Sequence, residues 1–162
     1  MTRRLASICL MTVFFICHTP PSVRAQDPDG LKGISIVYVL VEDVPQGAKK
    51  LGLTEETIQN DVELKLLQAG MGVATLKDGH NLPGRPHVYV RFTLTKGAEA
   101  ASIQVELDQD AVLDRNAEHS PSVITWNTGY LLPNPTAQGI RDYIKDGVGA
   151  FLNAWLSVNS KK

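Results

Sequence analysis

Three histidines lie beyond the first 25 residues of the chain: His80, His87 and His119. His80 and His87 flank a turn-rich stretch, Lys77 to Pro86, and with Asp78 they offer three donors that could meet at a zinc ion. Zinc sites are usually marked by tighter spacing, such as two histidines four apart on one helix face. The separation of His80 from His87 fits no such pattern, so the expectation is loop and strand-end histidines in water, with no metal. Asp108, Asp110 and Asp114 alternate as in a calcium loop, which also requires an oxygen ligand at its fifth position, glycine at its sixth and glutamate at its twelfth. Val112, Leu113 and His119 stand there instead. Those aspartates read as the end of a strand and a solvated loop.

Gly70-Met71-Gly72 is a glycine pair at a helix-to-strand turn, the reverse of the order that cradles phosphates. It reads as a helix stop. No GxSxG serine elbow occurs, and no catalytic residue or cofactor is assigned. Paired carboxylates for glycoside hydrolysis are defined by a separation in space, so a hydrolase built on carboxylates and a histidine stays open as an alternative. One surface stands out: Tyr89, Arg91, Gln104, Glu106 and Asp108, all on the outward face of a predicted hairpin. Exposed Tyr and Arg on a rigid sheet are the residue types enriched where proteins bind one another.

The elements that must position these residues follow from periodicity. Ile34 to Val41 is β-branched at nearly every position and reads as a strand. A helix follows, with Thr54 as cap, Glu55 and Glu56 at its positive end, a stripe of Ile58, Val62, Leu66 and Ala69, and Gly70 as the left-handed stop. Met71 to Leu76 reads as a short strand, then 77–86 as a loop. In His87–Thr95, Val88, Val90, Phe92 and Leu94 alternate with polar residues; in Ser102–Asp108, Ile103, Val105 and Leu107 do the same. A turn over Gly97–Ala100 would set Phe92 opposite Val105 and Arg91 opposite Glu106. Residues 109–121 read as loop and Val123–Asn127 as a last strand. A long helix starts at Asn134-Pro135-Thr136, with Ile140, Ile144, Val148, Phe151, Leu152 and Trp155 on one face. The order β-α-β-β-β-β-α predicts an α+β two-layer sandwich, with two helices on one face of a mainly antiparallel sheet.

The amino terminus has the three regions of a secretory signal peptide: Arg3 and Arg4, the uncharged run Leu5–Cys17, and Val23-Arg24-Ala25 before Gln26. That run is shorter than the roughly 20 residues of a membrane span. The expected organisation is signal peptide 1–25, flexible leader 26–33 and a single domain over 34–162. Both cysteines, Cys9 and Cys17, fall in the signal, so the exported part has no disulfide or thiolate chemistry. All 17 acidic but only 13 of the 16 basic residues lie after residue 25, giving a net charge of −4 for that part. No basic cluster of the kind nucleic acid requires is present.

Residues 52–73 (GLTEETIQNDVELKLLQAGMGV) and 151–160 (FLNAWLSVNS), with Thr125-Trp126 between them, resemble a set of small exported bacterial proteins of unknown function. The order of elements also looks like the α/β domains of periplasmic proteins such as the TolB amino-terminal domain. The resemblance implies a cell-envelope setting, periplasmic or secreted, and carries no residue roles. The leading expectation is a non-enzymatic accessory protein that binds another protein. A carrier of a small apolar ligand is the alternative, with the hydrolase behind it.

Overall fold

The structure, a computed structural model, describes residues 28–160. The signal segment expected at 1–25 lies outside the described residues. Ile36–Val41 forms strand β1, starting two residues later than expected. Its alternation sends Val37, Val39 and Val41 into the core. Helix α1 (Gln46–Lys50) leads to α2 (Glu55–Gln68). Thr54 caps α2 by accepting a hydrogen bond from the Thr57 N–H at 3.1 Å. Gly70, at φ +83°, ends it, with Met71 N–H bonded to Leu66 O and Gly70 N–H to Leu67 O. That double bond pattern is the stop a left-handed residue makes possible.

The strand expected over Met71–Leu76 shrinks to β2, Gly72–Val73, and a short helix α3 (Leu76–Gly79) stands where strand end and loop were predicted. Thr75 takes over the chain by capping Asp78 N–H at 3.2 Å, and the same hydroxyl donates to the Asp78 carboxylate at 2.8 Å. Asp78 is thereby tied to the start of α3.

Strands β3 (His87–Leu94), β4 (Ala100–Leu113) and β5 (Glu118–Pro133) complete the sheet, and α4 (Ala137–Asn159) closes the chain. The spatial order is β2-β1-β3-β4-β5. β1 runs parallel to both β2 and β3, while β3–β4 and β4–β5 are antiparallel. The fold is α+β on an open mixed sheet, antiparallel along its two longest ladders as expected and parallel, which was not expected, on both sides of β1. The parallel pairings arise because α2 and α3 carry the chain back between the strands of the β1 side.

The hairpin register differs from expectation by two residues: Phe92 faces Ile103, Arg91 faces Gln104 and Tyr89 faces Glu106. The cause is local. Thr95 captures Ala100, with Thr95 N–H bonded to Ala100 O and Thr95 Oγ1 accepting from Glu99 and Ala100 N–H. The turn therefore spans 96–99 and not 97–100. A two-residue slip preserves every side chain's face and changes only its neighbours.

Residues 109–121, expected as loop, are mostly strand. β4 and β5 run on together past the core as a two-stranded ribbon, with register shifts at Leu107/Asp108 and Gln109/Ala111. The ribbon has little core face, so its sequence lacks the apolar alternation that marks a strand.

Between sheet and helices, Val88, Val90, Phe92, Ile103, Val105, Leu107 and Trp126 meet α2 residues Ile58, Val62 and Leu66 and α4 residues Ile140, Ile144, Val148, Phe151 and Leu152. Each such side chain fully buried is worth about 1.5–3 kcal/mol. α2 and α4 are clamped by Asp61, which accepts from Arg141 at 2.7 and 3.0 Å and lies 3.4 Å from Lys145 Nζ. α4 approaches β4 closely at Gly147, where an added Cβ would fall 2.6 Å from Val105 Cγ2. One expectation about the ends changes. The segment taken as flexible leader holds a 3-10 turn, Pro28–Leu31, whose Leu31 is wholly buried. Trp155 is only partly buried, and its indole N–H donates to Ile34 O at 2.6 Å.

Candidate functional site

Odd-numbered residues of β3 and even-numbered residues of β4 lie on the face opposite the core-facing Val88, Val90, Phe92, Ile103, Val105 and Leu107. This brings Tyr89, Arg91, Gln104, Glu106 and Asp108 onto one continuous patch at the middle of the sheet. Arg91 organises it. Its Nε donates to Gln104 Oε1, the residue opposite, at 2.5 Å, and its Nη2 reaches diagonally to Glu106 Oε1 at 3.0 Å. The ion pair expected from direct pairing thus forms along the diagonal.

The patch is less wet than its alternation suggests. Glu106 is 5% exposed and Asp108 8%, with Arg91 against the first and His87 and Ser122 beside the second. Tyr89 and Arg91 are half-buried. Burial pushes the Tyr89 phenol above its ordinary range, and the Glu42 charge adds to the effect.

Below this patch lies a second polar cluster that joins loop 80–86 to the ribbon. His87 Nδ1 lies 3.1 Å from Arg85 O. A carbonyl can only accept, so Nδ1 carries a proton and donates. The ring's Nε2 is then turned toward Asp108 Oδ2, 4.0 Å away. Asp108 Oδ1 is buried without a hydrogen-bond partner, and Ser122 Oγ donates to Oδ2 at 3.5 Å. Next to it, Arg85 grips Asp110 with two bonds of 2.8 Å. Ser122 N–H donates to Asp110 Oδ1 at 3.3 Å, and His119 Nε2 lies 3.5 Å from Asp110 Oδ2. The Arg85 hydrogen bond holds the Asp110 carboxyl below the usual carboxylate range.

Tyr38 is the platform of this cluster. It stacks on His87 (centroids 4.7 Å, planes 20° apart) and meets His80 at 5.4 Å. Burial raises the Tyr38 phenol, with the Arg85 charge opposing it. Gly79 of α3 packs directly on the Tyr38 ring, where any Cβ would overlap ring atoms.

His80 and His87 therefore meet across a tyrosine ring, while His119 sits with Asp110. Among the described residues, no three His, Cys, Asp or Glu side chains are arranged to hold a metal ion. Sequence reasoning missed Tyr38, Arg85 and Ser122, and it assigned Asp110 to a strand end or solvated loop where the structure ties it to Arg85 and Ser122. Tyr38 could have been found from parity, since it alternates with the core-facing Val37 and Val39. The meeting of Asp110 and Ser122 could not, because the ribbon that brings them together was read as loop. Arg85 and Ser122 both adopt left-handed backbone, at φ +43° and +54°. That conformation is uncommon for side-chain-bearing residues and is held here by the shared Asp110.

Two clefts open near these residues. One of about 300 Å³ is lined by Glu42, Arg91, Phe92, Thr93, Ser102 and Gln104. The other, about 350 Å³, lies between the chain entering β1 and Leu82, Pro83, Pro86 and Gln109. Both are open to solvent and of mixed polarity, suited to receiving protruding side chains. Among the described residues, no helix is long and apolar enough to cross a membrane.

No family model matches the chain, and no curated protein matches it. Among solved structures, the chain is similar to a PelC dodecamer from Paraburkholderia phytofirmans, a single-substitution variant of that protein. The identity is 12%, the match covers 77% of this chain and 89% of that one, and the TM-score is 0.42.

Proposed function

We propose that this chain is an exported, non-enzymatic accessory protein of the cell envelope that binds another protein through the face of β3 and β4 opposite α2 and α4. In this reading the fold is two layers, with α2 and α4 on one side of the sheet and the binding face on the other. The observation that carries it is the fixed placement of Arg91, beside the half-buried Tyr89. Arg91 is held by Glu106 and Gln104 on strands at the middle of the sheet. A side chain already held in place loses little freedom on binding, so more of its contact energy becomes affinity. The adjacent cleft bordered by Arg91, Thr93, Ser102 and Gln104 gives a partner's side chain somewhere to seat.

Export supplies the compartment: the secreted product is expected to begin at Gln26, read by N-terminal sequencing. The binding face is tested by retrieval from the native envelope fraction with three baits: wild type, Tyr89→Ala, and Arg91→Ala combined with Glu106→Gln. The second change in the last bait removes the carboxylate that would otherwise be stranded. A partner held by wild type and lost from both variants is the expected result. Variants that keep their fold and every wild-type partner would move the site off this face.

A further inference from the structure

The face of β3 and β4 that carries Tyr89 and Arg91 is unevenly charged. Four carboxylates stand on or beside it, Glu42, Glu106, Asp108 and Asp110, against the guanidinium groups of Arg85 and Arg91. Both guanidinium groups are committed within the chain. Arg85 grips Asp110 through two 2.8 Å bonds, and Arg91 holds Gln104 and Glu106. The carboxylates left over, Glu42 and Asp108, both bear on one ring, that of Tyr89. Tyr89 pairs with Glu106 across the ladder and has Asp108, the partner of His87, on its diagonal. Asp108 is 8% exposed, and its Oδ1 has no hydrogen-bond partner. Glu42 continues β1, its N–H bonded to Val90 O at 2.9 Å, and stands exposed at the rim of the cleft of about 300 Å³. Its carboxylate enters none of the ion pairs among the described residues. Burial raises the Tyr89 phenol; the charges of Glu42, Glu106 and Asp108 add to the effect, and Arg91 alone among the nearby charges opposes it.

We propose that this face takes a basic side chain from its partner protein, an arginine guanidinium or a lysine ammonium laid on the Tyr89 ring between Glu42 and Asp108. The inference rests on the protein-binding reading above and specifies its chemistry. A cation over a tyrosine ring is attracted by the negative face of the π-system. Carboxylates on both sides supply the acceptors that a desolvated ammonium or guanidinium must find. A cationic N–H is also the kind of donor that Asp108 Oδ1 lacks. An acidic segment would meet the reverse: surplus charge of its own sign, and two arginines whose donors are already shared with carboxylates of this chain. An apolar segment would cover Glu42 and leave its charge unpaired, which costs free energy that no new contact offsets. The same uneven charge draws a basic partner in from a distance at low salt.

Three capped pentapeptides test it, alternating glycine with arginine, lysine or glutamate, each titrated into the isotope-labelled exported chain and followed by amide NMR shifts. The arginine and lysine peptides are expected to move the signals of Glu42, Tyr89 and Arg91, and the glutamate peptide to leave them still. Glu42→Gln should weaken the basic peptides about two- to fivefold, the range of one exposed ion pair. Glu56→Gln, an exposed change on α2, should leave them unaltered. Tyr89→Phe keeps the ring and should keep the binding, whereas Tyr89→Leu keeps bulk alone and should lose about two- to fivefold. Basic peptides that leave this face still, a glutamate peptide that moves it as far, or equal weakening by Glu42→Gln and Glu56→Gln would each overturn the proposal. The native partner separates this failure from that of the binding face. A partner lost from the Tyr89→Ala bait but held equally by wild type and Glu42→Gln would leave the face standing and refute the basic side chain. A partner kept by a folded Tyr89→Ala bait would remove the face itself, and this proposal with it.

Discussion

Arg91→Ala is expected to destabilise the fold, although Arg91 stands on a face that alternation alone marks as solvent-exposed. The perturbation strands a charge. Glu106 is 6% exposed at its side chain, against 41% for Arg91, so the carboxylate cannot turn to water once its partner is gone. Breaking a fully buried ion pair by removing one member costs about 3–5 kcal/mol. Solvent reaches this pair from the arginine side, which lowers the cost to about 1–3 kcal/mol. With a urea m-value of about 1.5 kcal/mol/M, ordinary for a domain of this size, a loss of about 2 kcal/mol moves the unfolding midpoint down by about 1.3 M. The reverse truncation is milder. Glu106→Gln leaves Arg91 its bond to Gln104 and access to water, for a cost of about 1 kcal/mol or less. Combining the two changes should recover roughly half of the Arg91→Ala loss, because no buried charge remains. Equilibrium urea unfolding of the four proteins forms a double-mutant cycle. An Arg91→Ala midpoint indistinguishable from wild type, or a double variant no more stable than the single one, would refute the stranded-carboxylate argument.

Phe151→Ala should cost about 3–5 kcal/mol in the same assay, because Phe151 is fully buried and packs edge-on to Trp126 at 5.5 Å; a loss under about 1 kcal/mol would mean that α4 does not close the core there. Gly79→Ala should cost about 1–3 kcal/mol through overpacking, since its methyl would overlap a Tyr38 ring already flanked by His80 and His87; an unchanged melting temperature would place α3 away from that ring. The Arg141 hydrogen bond holds the Asp61 carboxyl below its ordinary value, with partial burial opposing the effect. Its stabilisation is therefore present above about pH 4 and lost as the pH falls through the depressed folded-state value. Asp61→Asn should lower the midpoint at neutral pH and flatten its decline on acidification to about pH 2, and parallel acid limbs for the two proteins would contradict that linkage.

What can be read along a strand or helix was legible in this sequence. The stripe Ile58–Val62–Leu66, the Thr54 cap, the Gly70 stop and the apolar face of α4 depend on contacts within a few residues, so spacing suffices to find them. The alternation of Val88, Val90 and Phe92 with Tyr89 and Arg91 assigns each side chain to a face for the same reason. Pairing between strands was not legible to the residue. One threonine hydroxyl, at Thr95, moves the turn by one position and the register by two, and the hydrophobic pattern is blind to an even slip. Nor could periodicity reveal the ribbon, because strands that run beyond a core have no dry side to record. Tertiary structure alone decided that Glu106 and Asp108 lie buried, that Tyr38 gathers two histidines distant from it in sequence, and that Arg85 and Ser122 grip one aspartate. Burial and convergence of this kind depend on which elements stack upon which. That is settled by long-range packing of the whole chain, and it leaves no local period to read.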